Sequence, residues 1–176
     1  MIVKQITLTV TENTRLADGI YRLRLAGDTS AITAPGQFVN LKLSGFFLRR
    51  PISVCDWSDG ELTLIYKVLG HGTEAMTGMA PGTELDVLTG LGNGYDVSRS
   101  GEHPLLVGGG VGIPPLYGLA KRLTAQGKRV TAVLGFNRKS EIFLAEEFRA
   151  LGVEVIIATA DGSAGLKGLV TDGMAA

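Results

Sequence analysis

Cysteine and histidine are scarce in this sequence, and their scarcity excludes several kinds of functional site. The 176 residues contain one cysteine, Cys55, and two histidines, His71 and His103. One cysteine cannot form an internal disulfide, and these three residues offer no obvious set of metal ligands. Cys55 lies inside an apolar stretch without a neighbouring base, which favours a buried core thiol over a nucleophile. Because no Ser-His-Asp triad or carboxylate pair is recognisable either, we predict no catalytic side chain and no metal site.

A surplus of one charge and a long apolar run are absent as well. Lys and Arg together number 17, and so do Asp and Glu, which argues against a nucleic-acid groove or an anionic membrane surface as a partner. No apolar run approaches the roughly 18 residues of a transmembrane helix, and the first residues are typical of a strand rather than of a signal peptide. The composition therefore predicts a soluble cytoplasmic protein that binds neither nucleic acid nor a membrane.

The first half of the sequence contains a series of short strands separated by turn residues. Alternating or apolar runs predict six strands, at 2–10, 20–25, 38–43, 51–57, 61–68 and 83–88. Turns rich in glycine, proline and aspartate lie between them, and one helical turn is predicted near 72–79. Six strands at this spacing are typical of a small antiparallel barrel or sandwich.

The pattern changes after about residue 100. Strands predicted at 105–107, 130–136 and 153–159 alternate with helices at 114–126 and 142–151. This alternation predicts a parallel sheet with right-handed crossovers. We therefore predict a two-domain α+β protein, with a β domain over residues 1–98 and an α/β domain over residues 99–176. A glycine-rich hinge is expected near 92–101.

The fourth predicted strand begins with Arg49-Arg50-Pro51-Ile52-Ser53, which combines features that a buried strand does not need. The proline has a fixed φ and no N–H donor. An arginine side chain matches phosphate oxygens in pairs, and Ser53 can hydrogen-bond to the edge of a heteroaromatic ring. The stretch therefore indicates a site for a phosphate beside a flat ring system. An edge strand whose arginines are simply solvated is the alternative.

Two glycine clusters lie between a strand and a helical segment, where backbone N–H groups can approach an anion. The cluster at 108–112 precedes a helix that begins near Pro114, although Pro115 stands where the dinucleotide fingerprint has its third glycine. The cluster Gly70-His71-Gly72-Thr73 repeats the arrangement in the β domain. Each cluster is also compatible with a tight turn that binds no ligand.

The order of these motifs resembles the ferredoxin–NADP reductase superfamily, and most of all the electron-transfer subunits of dihydroorotate dehydrogenase B. The resemblance rests on residues 49–53, on Leu64-Ile65-Tyr66-Lys67 with the glycine cluster at 70–73, and on the segment 108–116. It implies a six-stranded barrel that binds FAD and an α/β domain that binds NAD. It also implies a partner, the FMN-containing catalytic subunit of dihydroorotate dehydrogenase, in a hetero-oligomer (a heterotetramer) of de novo pyrimidine (UMP) biosynthesis.

The resemblance assigns cofactor-binding residues by position. In the barrel, the residues implied to line the flavin and its phosphates are Arg50, Pro51, Ile52 and Ser53. Those implied to hold the ribityl chain and the diphosphate are Ile65, Tyr66, Lys67, Gly72 and Thr73. In the α/β domain, Gly110 and Gly112 are implied to admit the nicotinamide dinucleotide. Many superfamily members carry an aromatic residue where Ile52 stands, so ring stacking from this position is not expected here.

The chain departs from this family in its cysteines. The family holds a [2Fe–2S] cluster on four C-terminal cysteines, whereas Cys55 is the only cysteine of this sequence, so the thiolate ligands of a cluster are missing. We therefore expect a C-terminally truncated member with an incomplete NAD-binding domain. The expected function is electron transfer between the catalytic partner and NAD through FAD. The alternatives are the small FAD/NAD subunit of another NADH-dependent ferredoxin reductase and a non-catalytic docking fragment.

Overall fold

In the computed structural model, which describes residues 2–174, the chain divides between Tyr95 and Asp96 into two units. The described part of the first unit contains six strands and one short helix. They are β1 (Lys4–Ala17), β2 (Ile20–Ala26), β3 (Phe38–Lys42), β4 (Arg50–Ser58), β5 (Glu61–Lys67), α1 (His71–Thr77) and β6 (Glu84–Leu91).

The six strands close into a barrel in the order β1-β2-β5-β4-β3-β6, and every neighbouring pair is antiparallel. Alternate side chains point into the barrel, where Leu8, Leu23, Leu41, Leu64 and Val87 are fully buried. Burial of each such side chain contributes about 1.5–3 kcal/mol. The apolar interior explains why a period-two pattern predicted these strands, and the predicted six-stranded antiparallel barrel is confirmed.

Strand β1 continues past its predicted end at Val10 because hairpin pairing with β2 extends through a polar segment. Glu12 lies opposite Arg24 in the register. It accepts a hydrogen bond from Arg22 at 2.8 Å and lies 3.6 Å from the Arg24 guanidinium. Cross-strand ion pairs of this kind stabilise the outer face of a sheet without producing an apolar alternation, so the sequence pattern ended before the strand did.

The described part of the second unit contains four strands and three α-helices. They are β7 (Leu105–Gly109), α2 (Pro114–Ala125), β8 (Thr131–Phe136), α3 (Ala145–Ala150), β9 (Glu154–Thr159), β10 (Leu166–Lys167) and α4 (Val170–Gly173). The strands form one parallel sheet in the order β10-β9-β8-β7, which confirms the predicted α/β half. The sheet has a fourth strand that was not predicted, because β10 consists of two exposed residues and gives no recognisable pattern.

Helices cover both faces of this parallel sheet. Gly108 backs onto α2, where an added Cβ would lie 2.7 Å from Leu116 Cδ1. Phe148 of α3 packs edge-on against Tyr117 of α2 at a centroid distance of 5.4 Å, so both helices lie on that face. On the opposite face, Gly173 of α4 packs against β8.

The helices of the second unit are short, and one begins later than predicted. The predicted start of α3 at residue 142 is wrong, because Leu144 has a left-handed φ of 62° and separates the 3-10 turn Lys139–Glu141 from the helix. A left-handed conformation costs an L-residue about 1–2 kcal/mol and cannot continue a right-handed helix. Among residues 2–174, no helix is long and apolar enough to cross a membrane.

Candidate functional site

An open groove on the barrel unit lies between the start of β4 and the start of α1. It has a volume of about 680 Å³ and is lined by Phe46, Arg50 and the segment 69–73. Two motifs that are separate in the sequence therefore meet in one groove: Arg50 of the arginine pair and the glycine cluster at 70–73, which is the first along the chain. Of the predicted site residues, the groove brings together Arg50, Gly72 and Thr73.

The Arg50 guanidinium is held in this groove by neighbours that are not acidic. Its Cζ lies over the Phe46 ring, 5.0 Å from the centroid, and its Nη1 donates a hydrogen bond to the Leu48 carbonyl at 2.6 Å. The guanidinium also packs directly on Gly72, where an added Cβ would collide with Nε, Nη2 and Cζ. Within residues 2–174, Arg50 forms no ion pair with a carboxylate. A partly buried cation in this position favours an anionic ligand.

Arg49, next to Arg50 in the sequence, has a different environment. Its Nη2 lies 2.9 Å from both carboxylate oxygens of Asp86, and its Nη1 donates to the Asp86 carbonyl at 3.1 Å. Desolvation acts to raise the pKa of Asp86, but hydrogen bonds from Arg49 and Gln5 outweigh it and hold the pKa below its usual range. Arg49 therefore ties β4 to β6, and only one arginine of the pair faces the groove.

The hydroxyl of Thr73 shapes the glycine loop that forms the other wall of the groove. Its Oγ1 accepts hydrogen bonds from the N–H groups of Leu69 and Gly70, at 2.9 and 3.2 Å, and donates to the Gly70 carbonyl at 3.0 Å. The hydroxyl proton is thus already used within the loop. The N–H groups of residues 71–73, in the first turn of α1, have no carbonyl partner within that helix.

The side chain of Tyr66 anchors α1 to the barrel. Tyr66 is 1% exposed and belongs to the barrel core. Its hydroxyl donates to Asn13 Oδ1 at 3.2 Å, and Asn13 Nδ2 donates to the Met76 carbonyl of α1 at 2.8 Å. Burial raises the pKa of Tyr66 to about 12. If Tyr66 contacts a ligand as predicted, it does so through its main chain, because its side chain is enclosed.

The remaining predicted barrel residues are divided between the two faces of their strands. Ile52 lies opposite Val39 and packs against the barrel core, so Pro51 and Ser53 point to the outer face. On β5, Ile65 is buried on the face opposite the core, and Lys67 is half-buried. None of these residues lines the groove that contains Arg50, and their contacts with a cofactor stay predictions.

The glycine cluster at 108–112, which is the second along the chain, forms the predicted connection between β7 and α2. Residues Gly110–Gly112 make a 3-10 turn, and α2 begins at Pro114 after one intervening residue, Ile113. Gly110 has a φ of +50°, which favours glycine. At both Gly110 and Gly112 an added Cβ would meet no described atom within 4 Å. Their α-carbons therefore face open space, which suits the close approach of a ligand but does not by itself identify one.

Sequence reasoning gave no role to two apolar residues that line the groove, Phe46 and Leu69. Leu69 is 77% exposed, and Phe46 packs partly against the barrel core. The sequence contained a signal for their role in the site, since both are large apolar residues in connections next to a predicted phosphate motif. The sequence alone did not reveal that the two connections come together.

The side chains of the described residues do not form a metal-binding site. Within residues 2–174, no group of three or more His, Cys, Asp or Glu side chains could hold a metal ion. Cys55, the only cysteine of the sequence, is buried. The residues of this chain therefore do not fit a [2Fe–2S] cluster, which requires four thiolate or imidazole ligands.

Comparison with solved structures defines the class of protein. The chain aligns with an NADH-dependent reduced ferredoxin-NADP oxidoreductase involved in flavin-based electron bifurcation, with a TM-score of 0.86 and 33% identity over 96% of this chain and 62% of that one. A ferredoxin reductase of carbazole 1,9a-dioxygenase, at 18% identity, has a TM-score of 0.88 over 99% of this chain and 57% of that one. A ferredoxin NADP+ reductase from Neisseria gonorrhoeae, at 16%, has a TM-score of 0.81 over 94% and 73%. The two-unit fold is that of the ferredoxin reductases.

Curated relatives narrow this class to one family, although no family model matches the chain. The electron transfer subunit of dihydroorotate dehydrogenase B (NAD+) from Geobacillus sp. strain WCH70 is 46% identical over 97% of this chain and 69% of its own length. The corresponding subunit of Bacillus pumilus is also 46% identical, over 96% of this chain and 68% of its own length. The chain belongs to this family of electron transfer subunits. It spans about two thirds of the length of these relatives.

Proposed function

We propose that this chain is the FAD-binding part of an electron transfer subunit that moves electrons between a catalytic dihydroorotate dehydrogenase partner and NAD. Membership of the family supports this role, since the curated relatives carry that name. The observation that carries the proposal is the Arg50 guanidinium, which faces a groove beside a glycine loop without a carboxylate partner among the described residues. A cytoplasmic location, in a hetero-oligomer with that partner, is part of the proposal.

The groove has the chemistry that a dinucleotide diphosphate requires. Arg50 offers charge-assisted N–H donors, which are about twice as strong toward an anion as neutral donors. Residues 70–73 line the same groove, and Thr73 fixes this loop by accepting hydrogen bonds from the N–H groups of Leu69 and Gly70. We assign the FAD phosphates to the Arg50 side chain and to the backbone of Gly72 and Thr73, because the Thr73 hydroxyl donates within the loop. The neighbouring predicted residues (Pro51, Ile52, Ser53, Ile65, Tyr66 and Lys67) are proposed to contact the rest of FAD.

The open loop of the second unit is proposed as the NAD site. Gly110 and Gly112 present α-carbons without a neighbouring side chain, immediately before the first turn of α2. A helix start after a parallel strand is a common position for the pyrophosphate of a dinucleotide. When bound, FAD supplies the chemistry, because a flavin exchanges electrons with a nicotinamide and with other redox carriers. The residues of this chain bind and orient the two dinucleotides.

A second enzyme function is supported by one specific observation. The reduced ferredoxin-NADP oxidoreductase with the same fold is 33% identical to this chain, so the second candidate function is that of an FAD/NAD subunit of another NADH-dependent ferredoxin reductase. The proteins that co-purify with the chain distinguish the two functions, since only the first predicts a dihydroorotate-oxidising flavoprotein. A fragment that only docks to a catalytic subunit would lack NADH-dependent reduction of an artificial acceptor.

The proposed FAD site is tested by replacing each arginine of the pair separately. The Arg50→Ala variant should bind FAD roughly tenfold or more weakly, because a charge-assisted hydrogen bond contributes about 1.5–3 kcal/mol. The Arg49→Ala variant is the matched control, since it removes the contact with Asp86 outside the groove. It should lower thermal stability and change the FAD dissociation constant by less than about twofold. Equal FAD affinity of wild-type protein and Arg50→Ala in calorimetric titration would contradict the assignment.

A further inference from the structure

The Phe46 side chain is placed to control the position of Arg50. Its ring is partly buried and packs against the barrel core, while the guanidinium lies over it at 5.0 Å from the centroid. Phe47, the next residue, is fully exposed to solvent. The two adjacent phenylalanines therefore differ sharply, and only Phe46 connects the core of the barrel to the groove.

Three contacts restrict the guanidinium of Arg50 from different directions. The Phe46 ring lies under it, the Leu48 carbonyl accepts from Nη1, and the Gly72 backbone packs against Nε, Nη2 and Cζ. A free arginine side chain loses much rotamer freedom when it binds a ligand, whereas a side chain that is already held loses less. A contact through a ring face takes none of the N–H groups of the guanidinium. The donors other than Nη1 therefore stay available to an anion.

From this geometry we propose that Phe46 is a positioning residue, which holds the Arg50 guanidinium by a cation–π contact in the orientation that binds the FAD phosphates. The inference rests on the proposed function, because it presumes that Arg50 binds phosphate. Phe46 acts through Arg50 and makes no contact of its own with the phosphate. Its contribution to FAD affinity is thus present only when Arg50 is present.

The test compares Phe46→Leu, Phe46→Tyr and Phe47→Leu by titration with FAD. Phe46→Leu keeps an apolar side chain but removes the ring, and it should weaken FAD binding about two- to fivefold, the size of an exposed to partly buried cation–π contact. Phe46→Tyr keeps the ring and should bind FAD as tightly as wild-type protein. Phe47→Leu makes the same substitution at the exposed neighbour, so FAD affinity should be unchanged.

A double-mutant cycle with Arg50→Ala then separates positioning from direct contact. If Phe46 acts through Arg50, Phe46→Leu should have no further effect on FAD affinity in the Arg50→Ala background. It should also reduce the salt dependence of FAD binding in the wild-type background, because a misplaced guanidinium contributes less screened attraction. Both readouts are taken well below the melting temperature of each variant, so that loss of core packing does not enter them.

The possible outcomes distinguish this inference from the proposed function. Additive effects of Phe46→Leu and Arg50→Ala, or failure of Phe46→Tyr to restore binding, would overturn the positioning role while leaving the FAD site intact. Unchanged FAD affinity of Phe46→Leu would overturn it as well. Unchanged affinity of Arg50→Ala would instead overturn the phosphate site itself, and the positioning role with it.

Discussion

The two glycine clusters have similar sequences but different surroundings in the structure. The cluster at 70–73 is called the first loop below, and the cluster at 108–112 the second loop. In the barrel unit, the Arg50 guanidinium packs directly on Gly72, and Thr73 fixes the loop through three hydrogen bonds. In the α/β unit, the α-carbons of Gly110 and Gly112 face open space. The first loop therefore combines a side-chain cation with backbone donors. In the second loop, no described atom lies within 4 Å of a Cβ at Gly110 or Gly112.

The fold constrains three glycines of the second cluster to different degrees. Gly108 is favoured by packing, since an added Cβ would lie 2.7 Å from Leu116 Cδ1 and 3.3 Å from the Gly112 carbonyl oxygen. Gly110 is favoured by its positive φ of 50°. Gly112 has neither constraint, because its φ is ordinary and no described atom lies near a Cβ. A requirement for glycine at this position would therefore come from a ligand and not from the fold.

Among the variants that test this difference between the loops, Gly112→Val is expected to have the largest effect, and this effect is on the binding of NADH. A valine side chain would fill the space that NADH is proposed to enter, so the dissociation constant of NADH should rise roughly tenfold or more, the cost of losing a charge-assisted backbone contact. The absorption spectrum of bound FAD should not change. Gly108→Ala serves as the contrasting variant, since its Cβ would press on Leu116 and lower the melting temperature of the second unit.

Two results for Gly112→Val would contradict the proposed difference between the two loops. Unchanged NADH binding would mean that the loop does not approach the dinucleotide. Loss of bound FAD, or a melting temperature as low as that of Gly108→Ala, would mean that the glycine is structural and that the second loop is packed in the same way as the first.

A smaller effect is expected from Gly72→Ala in the first loop. The new methyl group would collide with the guanidinium and displace it from the position in which Phe46 and the Leu48 carbonyl hold it, so FAD affinity should fall by about three- to tenfold. The free energy of unfolding should stay unchanged or rise, because alanine stabilises a helix by up to about 1 kcal/mol relative to glycine. The control is Gly78→Ala at the end of the same helix, where a Cβ makes only an ordinary contact at 3.8 Å. FAD binding by Gly72→Ala that equals wild-type binding would show that close packing on Gly72 does not set the position of Arg50.

The contact between Arg50 and Gly72 also shows what the sequence could predict and what it could not. Both residues were predicted from local motifs, because the chemistry of an arginine and of a glycine loop is visible in a short segment. That they touch depends on the antiparallel pairing of β4 with β5, which places the start of β4 beside the end of β5, shortly before α1 begins. The groove residues Phe46 and Leu69 were missed for the same reason, since their role exists only where the two connections meet.

The strands show a related limit on prediction from sequence. Apolar alternation predicted the core strands, but the polar half of β1 is a strand only because β2 lies beside it. The same alternation predicts that Ile52 points to one face of β4 and that Pro51 and Ser53 point to the other, as the structure shows. The resemblance assigned all three to one ligand by position. A side-chain contact from each would require the ligand to reach both faces.

The smallest effect concerns the anchor that fixes the first loop to its barrel, the hydrogen bond between Tyr66 and Asn13. Tyr66→Phe removes this bond and should lower the free energy of unfolding by about 0.5–1.5 kcal/mol, with a change of about twofold or less in FAD affinity. Tyr95→Phe, which removes the hydroxyl of an exposed tyrosine, should leave the stability unchanged. A fall in FAD affinity as large as that of Gly72→Ala would mean that the first loop depends on the barrel core for its position.

The dependence of stability on pH gives a second measurement of the same anchor. Burial raises the pKa of Tyr66 to about 12 in the folded protein, whereas an unfolded tyrosine has a pKa of about 10. Between these values the unfolded chain loses the Tyr66 proton and the folded protein keeps it, so deprotonation favours unfolding. The stability that Tyr66 contributes should be complete below about pH 10 and decline as the pH rises toward 12. Chemical denaturation across this range should therefore show a smaller decline for Tyr66→Phe than for wild-type protein. Parallel curves for the two proteins would mean that the Tyr66 hydroxyl is accessible to solvent and that α1 is not fixed through it.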